Sequence, residues 1–298
     1  MKILQFVIII LLAGCTFEKG SVSSQPGAIN AKKMSVSFGK TVKTGTPKKL
    51  IKCNQYCSIN LLKKTNKEDF NYLAFENFGF RGIGRCRGHA LLTQKLIYLA
   101  QFDATAGCDL DQLECVQTYR EGINKILHFK THTFKGFSNM YEFSEHPKIA
   151  PILRGIVAGT SSRFRAGNGK IENQTYKTPQ LNTFYEIKSR VERGEMPYVG
   201  VQGLLTGAHA VLAYKVAHVG SHSVLCVKDP NYSSGTAQIC EHYFYIVDDE
   251  VYFKRADKDS DKMTYFSLTS DEDKRVVKYK SALKAQCLRE SKAAKLCK

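Results

Sequence analysis

Residues 196–230 read MPYVGVQGLLTGAHAVLAYKVAHVGSHSVLCVKDP. Three short runs stand out in this stretch: Tyr198-Val199-Gly200-Val201, Ala210-Val211-Leu212-Ala213-Tyr214, and Ser223 to Val227. Each is rich in β-branched or aromatic residues and is bounded by Gly, Pro or Ser, the pattern of strands joined by turns. Ile239 to Val247 continues the pattern, and Val251 to Lys254 and Tyr265 to Leu268 add edge strands. Upstream the period changes. From Cys86 to Phe102 the apolar residues Ala90, Leu91, Leu92, Leu96, Ile97, Leu99 and Ala100 recur at helical spacing, with Gly82 and Gly84 just before. Leu110 to Phe129, Pro147 to Ala158 and Asn182 to Val191 are further helices. Helices first and an antiparallel sheet second define a segregated α+β domain.

The N-terminus bears on location. Lys2 precedes an apolar run from Ile3 to Leu12, followed by the small residues Ala13 and Gly14 and then Cys15. The run is too short to span a hydrocarbon core of about 30 Å and has the order of a signal peptide, here residues 1–14. Leu12-Ala13-Gly14-Cys15 resembles the bacterial lipobox. That resemblance implies that Cys15 is diacylated and that the protein is anchored in the cell envelope, in the outer membrane where one exists. Residues 15–49 are rich in Ser, Gly, Pro and Lys and poor in large apolar groups, so they read as a flexible tether. Residues 50–270 are long enough for one domain with a sizeable core, and 271–298 form a basic C-terminal segment, a surface helix.

The formal charge of +17 is carried mostly by lysine and is spread along the chain. For an anchored protein this favours contact with anionic lipid head groups or other acidic envelope polymers. Zinc-finger spacing, an aromatic and glycine-rich RNA signature and a compact arginine stripe are all missing, so no nucleic-acid partner is expected. His128 and His132 have helical metal spacing without a carboxylate partner motif, and no metal or cofactor is implied.

Ten cysteines remain to be placed. With Cys15 assigned to the anchor and Cys86 set aside as a working thiol, eight fall into neighbouring pairs. These are Cys53 with Cys57, Cys108 with Cys115, Cys226 with Cys240 and Cys287 with Cys297. Export permits disulfides, and local bridges suit an even remainder better than a zinc site, because the spacings are not those of a zinc ribbon. Cysteines seven or ten apart on a straight helix are too distant to bridge, so the second and fourth pairs each require a bend.

Cys86 stands apart and opens a helix, where the backbone dipole favours a thiolate, with Arg85 and Arg87 on either side. A thiolate attacks carbonyl carbon, and it needs a base from elsewhere in the chain. His209, at the start of a strand, is the candidate. Twenty residues on, Asp229-Pro230-Asn231 offers a carboxylate or an amide to hold the imidazole.

Gly84-Arg85-Cys86-Arg87-Gly88, the Gly207-Ala208-His209-Ala210-Val211 strand and Asp229-Pro230-Asn231 resemble papain-like cysteine peptidases, in particular the bacterial branches that include bacteriocin-processing peptidase domains. The resemblance covers about Gly82 to Tyr232. It implies an N-terminal helical part with the cysteine at a helix start, and a C-terminal antiparallel sheet carrying the histidine. It further implies Cys86 as nucleophile, His209 as base, and Asp229 or else Asn231 as the orienting group. Where those enzymes carry a glutamine before the cysteine, this chain has Phe78 to Ile83; Asn77 is the nearest amide and Arg81 an alternative donor. The expectation is a cysteine-dependent hydrolase of amide bonds acting on a peptide, protein or peptidoglycan stem. The alternative is an inactive papain-like lipoprotein that binds anionic envelope components.

Overall fold

The computed structural model describes residues 52, 53, 57, 72–77, 85–166, 180–203, 207–232, 240–256, 258–269 and 271–294. The signal peptide, Cys15, the tether, Arg81 and Cys297 lie outside them.

The helices described in full lie on both sides of the main sheet in sequence. They are α1 (Cys86–Leu99), α2 (Leu113–Leu127), α3 (Met140–Glu145), α4 (Ala150–Ala166), α5 (Gln180–Glu192) and α6 (Glu272–Ala293). The first helix is buried almost all round, including Leu92, Leu96, Ile97 and Leu99, so it is the central element of the helical half. It ends at Leu99, three residues before the expected Phe102. The cause is tertiary: β1 (Ala100–Asp103) pairs in parallel with β2 (His132–Lys135), which draws Phe102 beside Phe134.

The six strands β3 (Tyr198–Gly203), β4 (Gly207–Val219), β5 (His222–Lys228), β6 (Tyr243–Val247), β7 (Glu250–Arg255) and β8 (Lys258–Leu268) form a closed antiparallel barrel in that order. Closure comes from β8 pairing with both β7 and β3. A Cβ at Gly203, on the closing seam, would run into the side chains of Asp261 and Met263. The side chains alternate as a barrel requires. Val199, Val211, Leu225, Phe244, Phe253 and Phe266 come one from each strand and meet in a single core, to which α5 adds Phe184, Ile187 and Val191. Tyr198, Leu212, Tyr214 and Val224 belong to the opposite set and pack with the helical half.

This corrects the papain-like α+β expectation. A sheet closed on itself, with helices around it, does not resemble a papain-like helix-plus-sheet fold. The reason lies in β8, which is eleven residues long rather than the short edge strand Tyr265–Leu268, and so reaches two neighbours at once.

The C-terminal helix also departs from a surface role. Val276, Tyr279, Leu283 and Cys287 form a buried stripe, and the Tyr279 ring stacks on Tyr98 of α1 at 4.6 Å. Beneath it, Glu272 accepts from Gln94 Nε2 and pairs with Arg275.

Among the cysteines, Cys108–Cys115 and Cys226–Cys240 are bridged as expected. The Cys53–Cys57 and Cys287–Cys297 pairs are not formed; Cys57 bridges Cys287 across 230 positions, and Cys53 is disulfide-bonded elsewhere. Cys287 lies inside a helix that runs on to Ala293, and its sulfur is already taken by Cys57. A partner from the other end of the chain meets it instead.

Candidate functional site

Cys86 is the first residue of α1 and is buried. Arg85 at the N-cap makes no side-chain capping bond, and the first turn contains no acid. The positive end of the helix dipole is therefore not offset by a neighbouring carboxylate on its own turn. The entry to the helix is fixed by Asn77, whose Oδ1 accepts from the backbone N–H of Arg85 at 2.7 Å.

Asn77 also reaches the barrel. Its Nδ2 donates to Asn231 Oδ1 at 2.8 Å, and its backbone N–H donates to the Pro230 carbonyl at 2.5 Å. The Asn231 N–H in turn donates to Asp229 Oδ1 at 2.9 Å, and the same oxygen lies 2.6 Å from His209 Nε2. A continuous chain of hydrogen bonds thus runs from the residue before Cys86 to His209. Its members come from the segment before α1, the turn after β5 and the start of β4.

The His209–Asp229 pair is almost wholly removed from solvent, with side chains 1% and 0% exposed. Burial opposes ionisation of Asp229, but the neighbouring His209, its hydrogen bond and the Asn231 amide outweigh it and hold the carboxyl below the usual carboxylate range. An ionised Asp229 can only accept, so Nε2 of His209 carries a proton and donates it. Proton exchange with a reacting group then falls to Nδ1. The second carboxylate oxygen, Oδ2, is buried with no hydrogen-bond partner among the described residues.

One turn along α1, His89 donates through Nε2 to the Phe75 carbonyl at 2.8 Å, and its ring packs edge-on against Phe75. Burial pushes its pKa down to about 4, so it is neutral at physiological pH, and it feels the charges of both Asp229 and His209. His89, Thr93, Asp229, Tyr232, Glu241 and His242 line a cavity of about 50 Å³ beside the couple. His242 stacks on Tyr232 at 4.3 Å, and its backbone carbonyl accepts from the Val227 N–H of β5 at 2.8 Å, next to the Cys226–Cys240 bridge.

The structure therefore places His209, Asp229 and Asn231 in one hydrogen-bonded group connected to the start of the Cys86 helix. It corrects the state of Cys86. This residue is disulfide-bonded, and among the described residues no cysteine is free. A bridged sulfur is not a nucleophile toward a carbonyl, so in this state the constellation holds a general base without a thiolate. Asn77, which the sequence offers only as the nearest amide before Cys86, instead connects the two halves of the site, and no local pattern signals that role. His242 has no sequence pattern at all, and only the disulfide would have brought it forward. His128 accompanies Asn124 within one helix and its following turn, and among the described residues no group of His, Cys, Asp or Glu could hold a metal ion. No helix of the described residues is long and apolar enough to cross a membrane.

Comparison of the chain with family models, with curated proteins and with solved structures finds no match.

Proposed function

We propose that this chain is a cysteine-dependent hydrolase of amide bonds in the cell envelope, held in the described state with its nucleophile masked as a disulfide. The observation that carries the reading is the buried 2.6 Å His209–Asp229 couple, connected through Asn231 and Asn77 to the residue before Cys86. Such constellations recur on unrelated folds, so the group geometry and not the barrel supports this chemistry.

The masked state has to be opened first. A small thiol reductant attacks the bridge, Cys86 leaves as a thiolate, the proton of the reductant passes to Nδ1 of His209, and a second reductant thiol releases the first as its own disulfide. The Cys86 thiolate then adds to the substrate carbonyl and expels the amine, which takes its proton from Nδ1 of His209. Water, deprotonated by the same nitrogen, hydrolyses the thioester and restores the thiolate. Asp229 keeps the ring in the tautomer that makes Nδ1 available, and the uncompensated dipole of α1 favours the thiolate at its first residue. The acyl part of a peptide, a protein or a peptidoglycan stem would serve as substrate, and Cys15 would hold the enzyme at the membrane.

The test is hydrolysis of peptide and peptidoglycan-stem substrates before and after mild reduction, in the parent and in Cys86→Ala, His209→Ala and Asp229→Asn. Activity should emerge with reduction, vanish in the first variant, and fall by about 10²–10⁴ in the other two. Equal turnover by Cys86→Ala would sink the reading. A second reading, a non-catalytic lipoprotein binding anionic envelope polymers, is favoured by the bonded state of Cys86 and the charge of +17. Salt-sensitive retention on acidic polymers, with no turnover in any redox state, would move it ahead.

A further inference from the structure

On the far side of α1 lies a roomier cavity, of about 310 Å³, walled by α1, α4, α6 and the end of α2. Leu91, Leu127, Phe129 and Ile156 form its apolar side. Its other side carries Lys95, Lys274, Arg275 and Lys278 against a single carboxylate, Asp271.

That carboxylate is already committed, because Asp271 pairs with Arg275, and Arg275 also pairs with Glu272 at 2.5 Å. Lys95, Lys274 and Lys278 have no carboxylate partner among the described residues. Two of these ammonium groups crowd one ring, with Lys95 Nζ 4.5 Å and Lys278 Nζ 4.8 Å from the centre of Phe129. Lys95 donates one hydrogen bond, to the Leu127 carbonyl at 2.7 Å. Burial, and after it the charges of Lys278 and Arg275, make protonation of Lys95 harder than usual. An anion between Lys95 and Lys278 would relieve both effects.

Phe129 itself is held in an unusual state. Its φ is +57°, a left-handed backbone that a bulky residue adopts at a cost of about 1–3 kcal/mol. The ring is kept there by the two ammonium groups and by Tyr279 at 5.3 Å. The result is a fixed aromatic wall where the charged rim meets the apolar interior.

We propose that this cavity binds a single-chain carboxylate amphiphile of the fatty-acid type, with the acyl chain among Leu91, Leu127 and Ile156 and the carboxylate between Lys95 and Lys278. The volume lies at the low end of the usual range for small-molecule pockets, roughly 300–1,000 Å³, and suits one chain rather than two. Three cations without carboxylate partners select for negative charge, and the apolar wall selects against short hydrophilic anions. The assignment is independent of the chemistry at Cys86.

The experiment is calorimetric titration of the full chain with laurate below its micellar concentration. Acetate, dodecyltrimethylammonium and phosphatidylglycerol vesicles are run in parallel. Laurate should bind one to one, acetate and the cationic amphiphile should not, and Lys278→Glu should weaken laurate at least about tenfold. Lys278 is exposed, so this variant should melt like the parent; Lys95→Met, which keeps most of the apolar stem, provides a second measurement with the same expected direction. Equal binding of the cationic amphiphile, or no effect of either substitution, overturns the proposal. Vesicle binding that Lys278→Glu abolishes, without any binding of laurate, also overturns it and makes this face a membrane-docking surface.

Discussion

His89 lies one turn along α1 from Cys86, and a lone histidine on a helix face is most often a packed one. It is indeed packed, but in a position with a measurable signature. Its folded pKa of about 4 lies below the ordinary value near 6.5 because burial disfavours the imidazolium. Between those two values the unfolded chain takes up a proton that the folded chain refuses. Stability is therefore complete above about pH 6.5 and is lost as the pH falls toward 4, by about 3 kcal/mol from this group. Urea unfolding at pH 7 and pH 4.5 should show that difference, and His89→Gln should flatten it. Asp229 acts with the same sign at lower pH: its depressed pKa adds stability above the ordinary carboxylate range, lost as the pH falls through the folded value. A steep loss confined below pH 4, unchanged in His89→Gln, would leave Asp229 and not His89 in control.

At the scale of elements, α6 is the one whose character the sequence concealed. Its mean composition is strongly basic, and Lys274, Lys278, Lys280 and Lys284 dominate any reading of its surface. The buried stripe is only one residue wide per turn, so a charge-based view assigns the whole helix to solvent. Tyr279 carries the contact: it is fully buried, stacks on Tyr98 and donates to Gln94 Oε1 at 3.2 Å. Tyr279→Ala should cost about 3–5 kcal/mol, whereas Lys284→Ala should cost within about 0.5 kcal/mol, read by denaturant midpoint. The strands show the opposite pattern of legibility. Tyr198–Val201, Ala210–Tyr214 and Ser223–Val227 were readable because apolar, β-branched residues fill them. The first half of β8, Lys258 to Lys262, was not, because exposed Asp259, Ser260 and Lys262 alternate with the buried Asp261. Missing those five residues hid the closure of the barrel, since they supply the pairs to β7. The His209–Asp229 couple, by contrast, could be picked out by chemistry alone, while its connection through Asn77 depended on a fold that local patterns do not encode.

For the molecule as a whole, the barrel and the helical half share α1 as their boundary, and two of the described bridges act on this arrangement at different ranges. Cys226–Cys240 closes a short loop that carries Asp229, Asn231 and Tyr232. Cys57–Cys287 ties the segment upstream of α1 to α6. In the chain-entropy model, a bridge spanning 230 positions restricts the unfolded chain by about 5 kcal/mol, against about 3 kcal/mol for the shorter one. Replacing Cys57 and Cys287 together by serine should lower the stability of the whole molecule by a few kcal/mol without moving His209. Replacing Cys226 and Cys240 should disturb the Asp229 turn and, with it, any turnover. Thermal melts together with NMR of the His209 ring would separate the two; a ring signal that shifts in the first variant but not the second would refute this division.

The Cys57–Cys287 bridge also sets how the molecule would carry a mechanical load. Tension applied through the N-terminal segment meets the bridged Cys53 first and then Cys57, whose sulfur–sulfur bond passes it directly to α6, bypassing the barrel and the helices between. Those 230 positions of chain, roughly 800 Å when drawn out, stay off the load path for as long as the bond is oxidised. A pulled molecule would then extend only by its flanking segments, while the same molecule in a reducing bath would release the hidden length as its core unravelled. The clasp makes the folded body indifferent to strain at one end until a reductant unlocks it.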